Sequence, residues 1–322
     1  MHMLSRVADS LYWMARNLER AENNARALHV QLINMLEAND AEVLDRDWEE
    51  VLEITASLAD YQSQYPELKS EEIIHYVAFD SGNINSLVNC MTYARENARA
   101  TRDIIPEGVW EGLNRFYLDL PAVRRSDFTI HEIQNFLHTI TMTSMTSQGV
   151  IESTMTRGVS YSFIKIGKWL ERAEKTARIL NVICEKARKE KQDSINHHYY
   201  WLAALRLVNG YDAYIKEYPP KMNAMHVLHF IIEEEKFPRS IRYCVDHVME
   251  TIYKLEKGEI HHYSERLFQL LETIQQEVTS FDLEEMSMEE LMGFLDHFQN
   301  RCIQVSRVFS ETYYLIEPVE IK

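Results

Sequence analysis

Two short stretches set acid and base side chains together at helical spacing. They are Leu18-Glu19-Arg20-Ala21-Glu22 with Arg26, and Leu170-Glu171-Arg172-Ala173-Glu174 with Arg178. On a helical wheel Glu19, Glu22 and Arg26 share one flank above the small Ala15, while Arg20 points to the opposite flank with Trp13, Asn17 and Asn24. In the second stretch Glu171, Glu174 and Arg178 share a flank above Gly167, and Arg172 lies opposite with Trp169. Such sets fit three kinds of chemistry. As a polar pocket they bind an amino acid or peptide, arginine taking its carboxylate and glutamate its ammonium group. As acid–base pairs, alone or with a hard cation such as Mg²⁺ or Mn²⁺, they act on an amide. As a closed ion-pair network they fix helix register and leave no group for a substrate. A di-iron centre fits poorly, because bundles of that kind use Glu-x-x-His and the spacing here is Glu-x-x-Glu. No metal or other cofactor is expected.

Two further groups of cations stand out. Arg95, Arg99 and Arg102 lie on one side of a helical segment and require anions nearby, for which the paired glutamates are candidates. In Phe237-Pro238-Arg239-Ser240-Ile241-Arg242, Pro238 suits the first position of a helix whose first turn, with Arg239, could bind an anion. The alternative is a charged helix start that pairs with the acidic run 233–235. The doublets His197-His198 and His261-His262 point apart on a helix, and neither chelates alone. Neither a Ser-His-Asp set nor a Gly-rich phosphate loop is present. Cys90, Cys184, Cys244 and Cys302 are scattered within helical patterns and read as buried thiols in a reducing compartment.

The elements that carry these residues are helices. With 9 glycines and 7 prolines in 322 residues, the chain lacks the punctuation of a β-rich fold. A first helix over 5–35 has an apolar seam through Val7, Leu11, Met14, Leu18, Ala21, Ala25, Leu28 and Leu32. The seam recurs 152 residues on, through Val159, Phe163, Ile166, Leu170, Ala173, Ala177, Leu180 and Cys184, with its flanking charges. This predicts an internal repeat, 5–36 against 157–188. Other helices are expected over 40–61, 70–77, 84–105 and 107–117, before a loop holding Pro121, and from the capping box Thr129-Ile130-His131-Glu132 onward. Beyond the second copy they are expected near 195–216, 223–234, 239–256 and 260–279, and after Ser287. Pro219-Pro220 and Pro238 mark breaks. No linker separates two halves, so the expectation is one all-α domain over 1–322, a multi-helix bundle around a duplicated central helix.

The net charge of −16 argues against nucleic acid, whose binders carry a basic face. The basic run 186–191 is short and diluted by acid, a solvated helix end. No signal region opens the sequence and no stretch nears the roughly 20 apolar residues of a membrane span. A cytoplasmic location and no membrane partner are expected.

These residues resemble the bacterial alpha-E family, an α-helical domain named for a Glu-Arg motif. The likeness runs from Leu4-Ser5-Arg6-Val7-Ala8 and Leu11-Tyr12-Trp13 through both Leu-Glu-Arg-Ala-Glu stretches. It takes in Ala94-Arg95-Glu96-Asn97-Ala98-Arg99 and Phe237-Pro238-Arg239-Ser240, in order over nearly the whole chain. Lys168 departs from it, standing where the first copy has Arg16. The resemblance implies partnership with an ATP-grasp ligase or a transglutaminase-like protein in a system that makes or trims peptide amide bonds. Three roles follow: an accessory or substrate-binding protein in such a system, an enzyme using the paired glutamates on peptide amides, or a scaffold or homo-oligomer.

Overall fold

The computed structural model describes residues 5–37, 48–123, 128–190, 194–219, 222–280, 283 and 285–314. Residues 40–47 of one expected helix, Pro220 of the proline pair and Lys191 of the basic run lie outside them. The chain divides into two compact units, one of Met1–Tyr12 with Arg157–Lys322 and the other of Trp13–Thr156. Among the described residues there are fourteen α-helices and no strand, so the fold is all-α.

Helix α1 (Ser5–Glu37) starts in the 157–322 unit and continues through the 13–156 unit. The latter adds α2 (Trp48–Ile54), α3 (Leu58–Gln64), α4 (Ser70–Ala78), α5 (Leu87–Ala100), α6 (Glu107–Val123) and α7 (Ile130–Thr154). The other unit holds α8 (Val159–Lys189), α9 (Ile195–Leu207), α10 (Tyr211–Glu217), α11 (Ala224–Ile232), α12 (Ile241–Leu255), α13 (Glu265–Thr279) and α14 (Met288–Tyr314).

The two apolar seams are what the long helices bury. Leu11, Met14, Leu18, Ala21, Ala25, Leu28 and Leu32 of α1 are buried, as are Phe163, Ile166, Leu170, Ala173, Ala177, Leu180 and Cys184 of α8. Helix α8 packs against α9, α12 and α14. Each fully buried leucine contributes roughly 1.5–3 kcal/mol, so the seams are the main force holding these helices in place. Gly167 has a different task. A Cβ built on it would lie 2.5 Å from the Tyr12 carbonyl oxygen, so the bare backbone of α8 admits the first turns of α1. Tyr12 is further fixed by a 2.8 Å hydrogen bond to the Ser306 hydroxyl and by stacking on Phe309 at 5.2 Å.

Several expected boundaries move, each for a local reason. The helix expected over 40–61 breaks where Ala56 takes φ 56°, and the Ser57 N–H returns to the Leu52 carbonyl at 2.8 Å. The one expected over 195–216 breaks alike at Asn209, φ 50°, where the Gly210 N–H reaches the Leu205 carbonyl at 2.7 Å. A left-handed residue after the last turn closes a helix by such returning bonds. Pro238 does not start α12. Ser240 caps that helix by accepting from the Tyr243 N–H at 3.0 Å, which leaves Pro238 in the preceding turn. Pro121 lies inside α6 rather than in a loop, since its fixed φ is helical and only one bond of the last turn is lost.

Among the described residues seven helices precede Arg157 and seven follow it, and several features recur in both sets. Trp48 and Trp201 are both fully buried. Tyr61 stacks on Tyr65 at 4.6 Å and meets Tyr76 edge-on at 5.1 Å. Tyr214 stacks on Tyr218 at 4.8 Å and meets Phe230 edge-on at 5.6 Å. Helices α5 and α12 open on the buried serine caps Ser86 and Ser240, and each buries a cysteine four residues on, Cys90 and Cys244. All four cysteines are free and buried, and burial pushes the Cys184 thiol up to about 12. No helix among the described residues is long and apolar enough to cross a membrane.

Candidate functional site

Within the 13–156 unit, the motif of α1 divides its side chains between two flanks. Glu19 and Glu22 are both 0% exposed. Glu19 accepts from the Asn23 and Gln148 side-chain amides, each at 3.1 Å, the latter from α7. Glu22 is paired with Arg26, whose guanidinium also donates to the Asn23 side-chain carbonyl. Ser144 of α7 donates to the Leu18 carbonyl at 3.1 Å. On the other flank Arg20 donates to the Asn85 side-chain oxygen at 3.3 Å, and Asn24 donates to the Asn85 carbonyl at 3.0 Å. One face of the motif therefore fastens α7, and the other fastens the residues just ahead of α5.

The motif of α8 is likewise buried inside its own unit, and its arginine flank is arranged in the same way. Glu171 is 1% and Arg172 5% exposed. Arg172 donates to the Pro238 carbonyl at 3.2 Å and lies 4.9 Å from the Trp169 ring, and Thr176 donates to the Arg239 carbonyl at 3.0 Å. Arg172 and Thr176 thus hold the residues just ahead of α12, as Arg20 and Asn24 hold those ahead of α5. Glu174 and Arg178 form a looser pair at 3.5 Å.

The remaining arginines of the sequence reading sit elsewhere. Arg95 donates to the Asn114 side-chain oxygen at 2.9 Å, pairs with Glu96, and lies over the Tyr117 and Trp110 rings at 4.6 and 5.2 Å. Arg99 pairs with Glu96 at 2.6 Å, and Arg102 lies 5.4 Å from the Trp110 ring. Their charge is met by Glu96 and aromatic faces next to them, not by the glutamates of α1. Arg239 is buried, and Arg242 pairs with Glu235 at 2.6 Å, the charged helix start.

Sequence reasoning missed a further buried carboxylate. Glu256, at the end of α12 and 3% exposed, accepts from the Tyr313 hydroxyl at 2.6 Å and from the Tyr263 hydroxyl at 2.8 Å, with Ser264 at 3.3 Å. Burial, and then the Glu256 hydrogen bond and charge, raise the Tyr313 hydroxyl well above its ordinary value. The unfolded chain releases that proton first, from about pH 10. Stability is therefore full below about pH 10 and declines as pH rises toward the folded value. Tyr313→Phe should flatten this decline in urea-denaturation midpoints measured from neutral to alkaline pH. An unchanged slope would show that Tyr313 titrates alike in both states.

Two cavities of the 157–322 unit, of about 460 and 590 Å³, are lined by residues other than Glu171, Arg172, Glu174 and Arg178. Among the described residues no group of three or more His, Cys, Asp or Glu side chains is placed to hold a metal ion. Within each unit the motif side chains join helices: α1 to α7 and to the residues ahead of α5, and α8 to the residues ahead of α12.

An all-helical chain whose paired Glu-Arg motifs lie at the centre of its packing defines a class of helical domain. The model of the Alpha-E family, described as a predicted alpha-helical domain with a conserved ER motif, matches residues 3–314. The chain belongs to the Alpha-E family. Comparison with curated proteins and with solved structures gave no match.

Proposed function

We propose that this chain is a non-catalytic accessory protein of a peptide- or amide-forming system, one that binds an ATP-grasp ligase or its peptide substrate in the cytoplasm. The observation that carries this reading is the burial of Glu19, Glu22 and Glu171, at most 1% exposed, with Glu19 and Glu22 engaged by amide and guanidinium donors. A general acid or base must come within hydrogen-bond reach of a substrate atom. Carboxylates used as helix fasteners are poorly placed for that and well placed to keep a binding surface rigid. The four free, buried cysteines accord with a reducing compartment.

The same reading includes an internal repeat, 5–36 against 157–188, extended to the helices that follow each copy. It is supported by the matching tyrosine clusters, the left-handed residues Ala56 and Asn209, and the parallel anchoring of Asn85 and Pro238–Arg239.

The test is co-expression with an ATP-grasp ligase, or with a transglutaminase-like protein, from the same organism. A complex that co-purifies through gel filtration, and that changes the ligase's rate or substrate range, is the expected result. Absence of any complex, with ligase activity the same with and without this chain, would discard the accessory reading.

A further inference from the structure

The cavity of about 590 Å³ in the 157–322 unit has a wall of distinct composition. Seven of the fifteen described residues lining it are methionine or histidine, in a chain with 14 methionines and 13 histidines among 322 residues. None of the fifteen is Asp, Glu, Lys or Arg, although 26% of the chain is charged. Met222, Met225, Met286 and Met288 are half-buried there. Methionines that fill the core, such as Met14 and Met91, are closed off at 0% and 1% exposure. A thioether used only to fill space packs away from water, whereas these four keep part of their surface at a recess.

Two imidazoles of the same wall are suited to give a lone pair. His198 Nδ1 lies 2.9 Å from the Ser194 carbonyl, which only accepts, so that nitrogen carries the proton and Nε2 of the neutral ring holds the lone pair. A metal-ligating imidazole is ordinarily fixed in this manner, its other N–H given to a backbone carbonyl. His226 has a buried Nδ1 without a hydrogen-bond partner. A buried nitrogen left so costs free energy that a bond to a ligand recovers. His197 differs, since its Nε2 accepts from the Trp201 indole N–H at 3.3 Å. The recess is not built for an anion. Helices α9, α11 and α14 begin at it, but Ser194, Asn223 and Ser287 accept from N–H groups of their first turns. Those caps also hold the backbone around the sulfurs and imidazoles in place.

We propose that this cavity is a binding site for a soft monovalent metal ion, Cu⁺, held by thioether sulfurs of Met222, Met225, Met286 and Met288 and by imidazole nitrogens of His198 and His226. Thioether ligands select an ion of this kind, whereas Mg²⁺ or Ca²⁺ requires carboxylate oxygens, which none of the fifteen residues supplies. This chemistry differs from that of His, Cys, Asp and Glu sets, of which none among the described residues is placed to hold a metal. The site stands apart from the partner reading above and does not depend on it.

Anaerobic titration of the full chain with Cu⁺ against bicinchoninate, a coloured Cu⁺ chelator, tests the proposal. The chain should withdraw one equivalent of the ion. Met225→Leu with Met288→Leu keeps the bulk and apolar character of the wall and removes two sulfurs, so this variant should fold normally and bind about tenfold or more weakly. Met142→Leu with Met145→Leu, two exposed positions of α7 in the 13–156 unit, is the control and should bind as the parent does. In protein with isotope-labelled methionine methyl groups, Ag⁺ as a probe should shift the signals of Met222, Met225, Met286 and Met288 and leave that of Met14 in place. Failure to withdraw Cu⁺ overturns the proposal. So does binding unchanged in Met225→Leu with Met288→Leu, which would put the ion on the cysteines, or an equal loss in the control.

Discussion

Gly167→Ala should destabilise the protein by about 1–3 kcal/mol, although alanine in place of glycine ordinarily favours a helix interior by roughly 0.5–1 kcal/mol. Sterics decide the sign. The added Cβ would sit 2.5 Å from the Tyr12 carbonyl oxygen and 3.2 Å from its ring. A carbonyl of a packed helix cannot swing aside as a flexible side-chain end does, and Tyr12 is held from beyond by Ser306 and Phe309. Gly149, inside α7, is the control, since nothing lies within 4 Å of a Cβ built there. Gly149→Ala should raise stability by about 0.5–1 kcal/mol, the helix-propensity gain. Urea denaturation of both variants reads the difference. If the two midpoints shift in the same direction, Gly167 is not a point of close approach.

The largest effect of a charged residue is expected at Glu22. Its side chain is 0% and that of Arg26 10% exposed, so Glu22→Ala takes the carboxylate away from a largely buried guanidinium, which keeps its bond to Asn23, and should cost about 3–5 kcal/mol. The matching pair Glu174 and Arg178 is 3.5 Å apart with side chains 13% and 24% exposed. Water compensates part of a loss there, and Glu174→Ala should cost about 1 kcal/mol or less. Glu22→Gln should fall between, because the amide keeps one hydrogen bond and gives up the charge. Equal urea-denaturation penalties for Glu22→Ala and Glu174→Ala would contradict this ranking.

Much of this architecture was legible in the residues. The seam through Leu18, Ala21 and Ala25 named the buried face of α1, and the opposed flanks of Glu19 and Arg20 follow from a rotation of 100° per residue. What each flank meets was not legible. Asn85 is 65 residues from Arg20 in sequence, and Gln148 is 129 from Glu19. Such partners are chosen by tertiary packing, which a helical wheel does not contain. The break at Asn209-Gly210 carried a signal, because both residue types tolerate a left-handed backbone, whereas the break at Ala56 carried none. The serine–cysteine openings of α5 and α12 are readable in the residues, but at another spacing. Ser240 follows Ser86 by 154 residues, whereas Glu171 follows Glu19 by 152, so a single offset aligns one pair and misses the other. Glu256 looked like an ordinary charged helix end, and only the fold brings two tyrosine hydroxyls onto it.

The bond between Tyr12 and Ser306 spans 294 residues of sequence. During synthesis on a ribosome, the first turns of α1 emerge early and must wait for α14 before their site exists. The 13–156 stretch can meanwhile assemble from residues already made. The entropic cost of closing so long a loop rises only slowly with the length of chain enclosed. The segment of α1 ahead of Trp13 therefore lacks its full set of contacts until α14 has been made, and Gly167 is the notch that receives it.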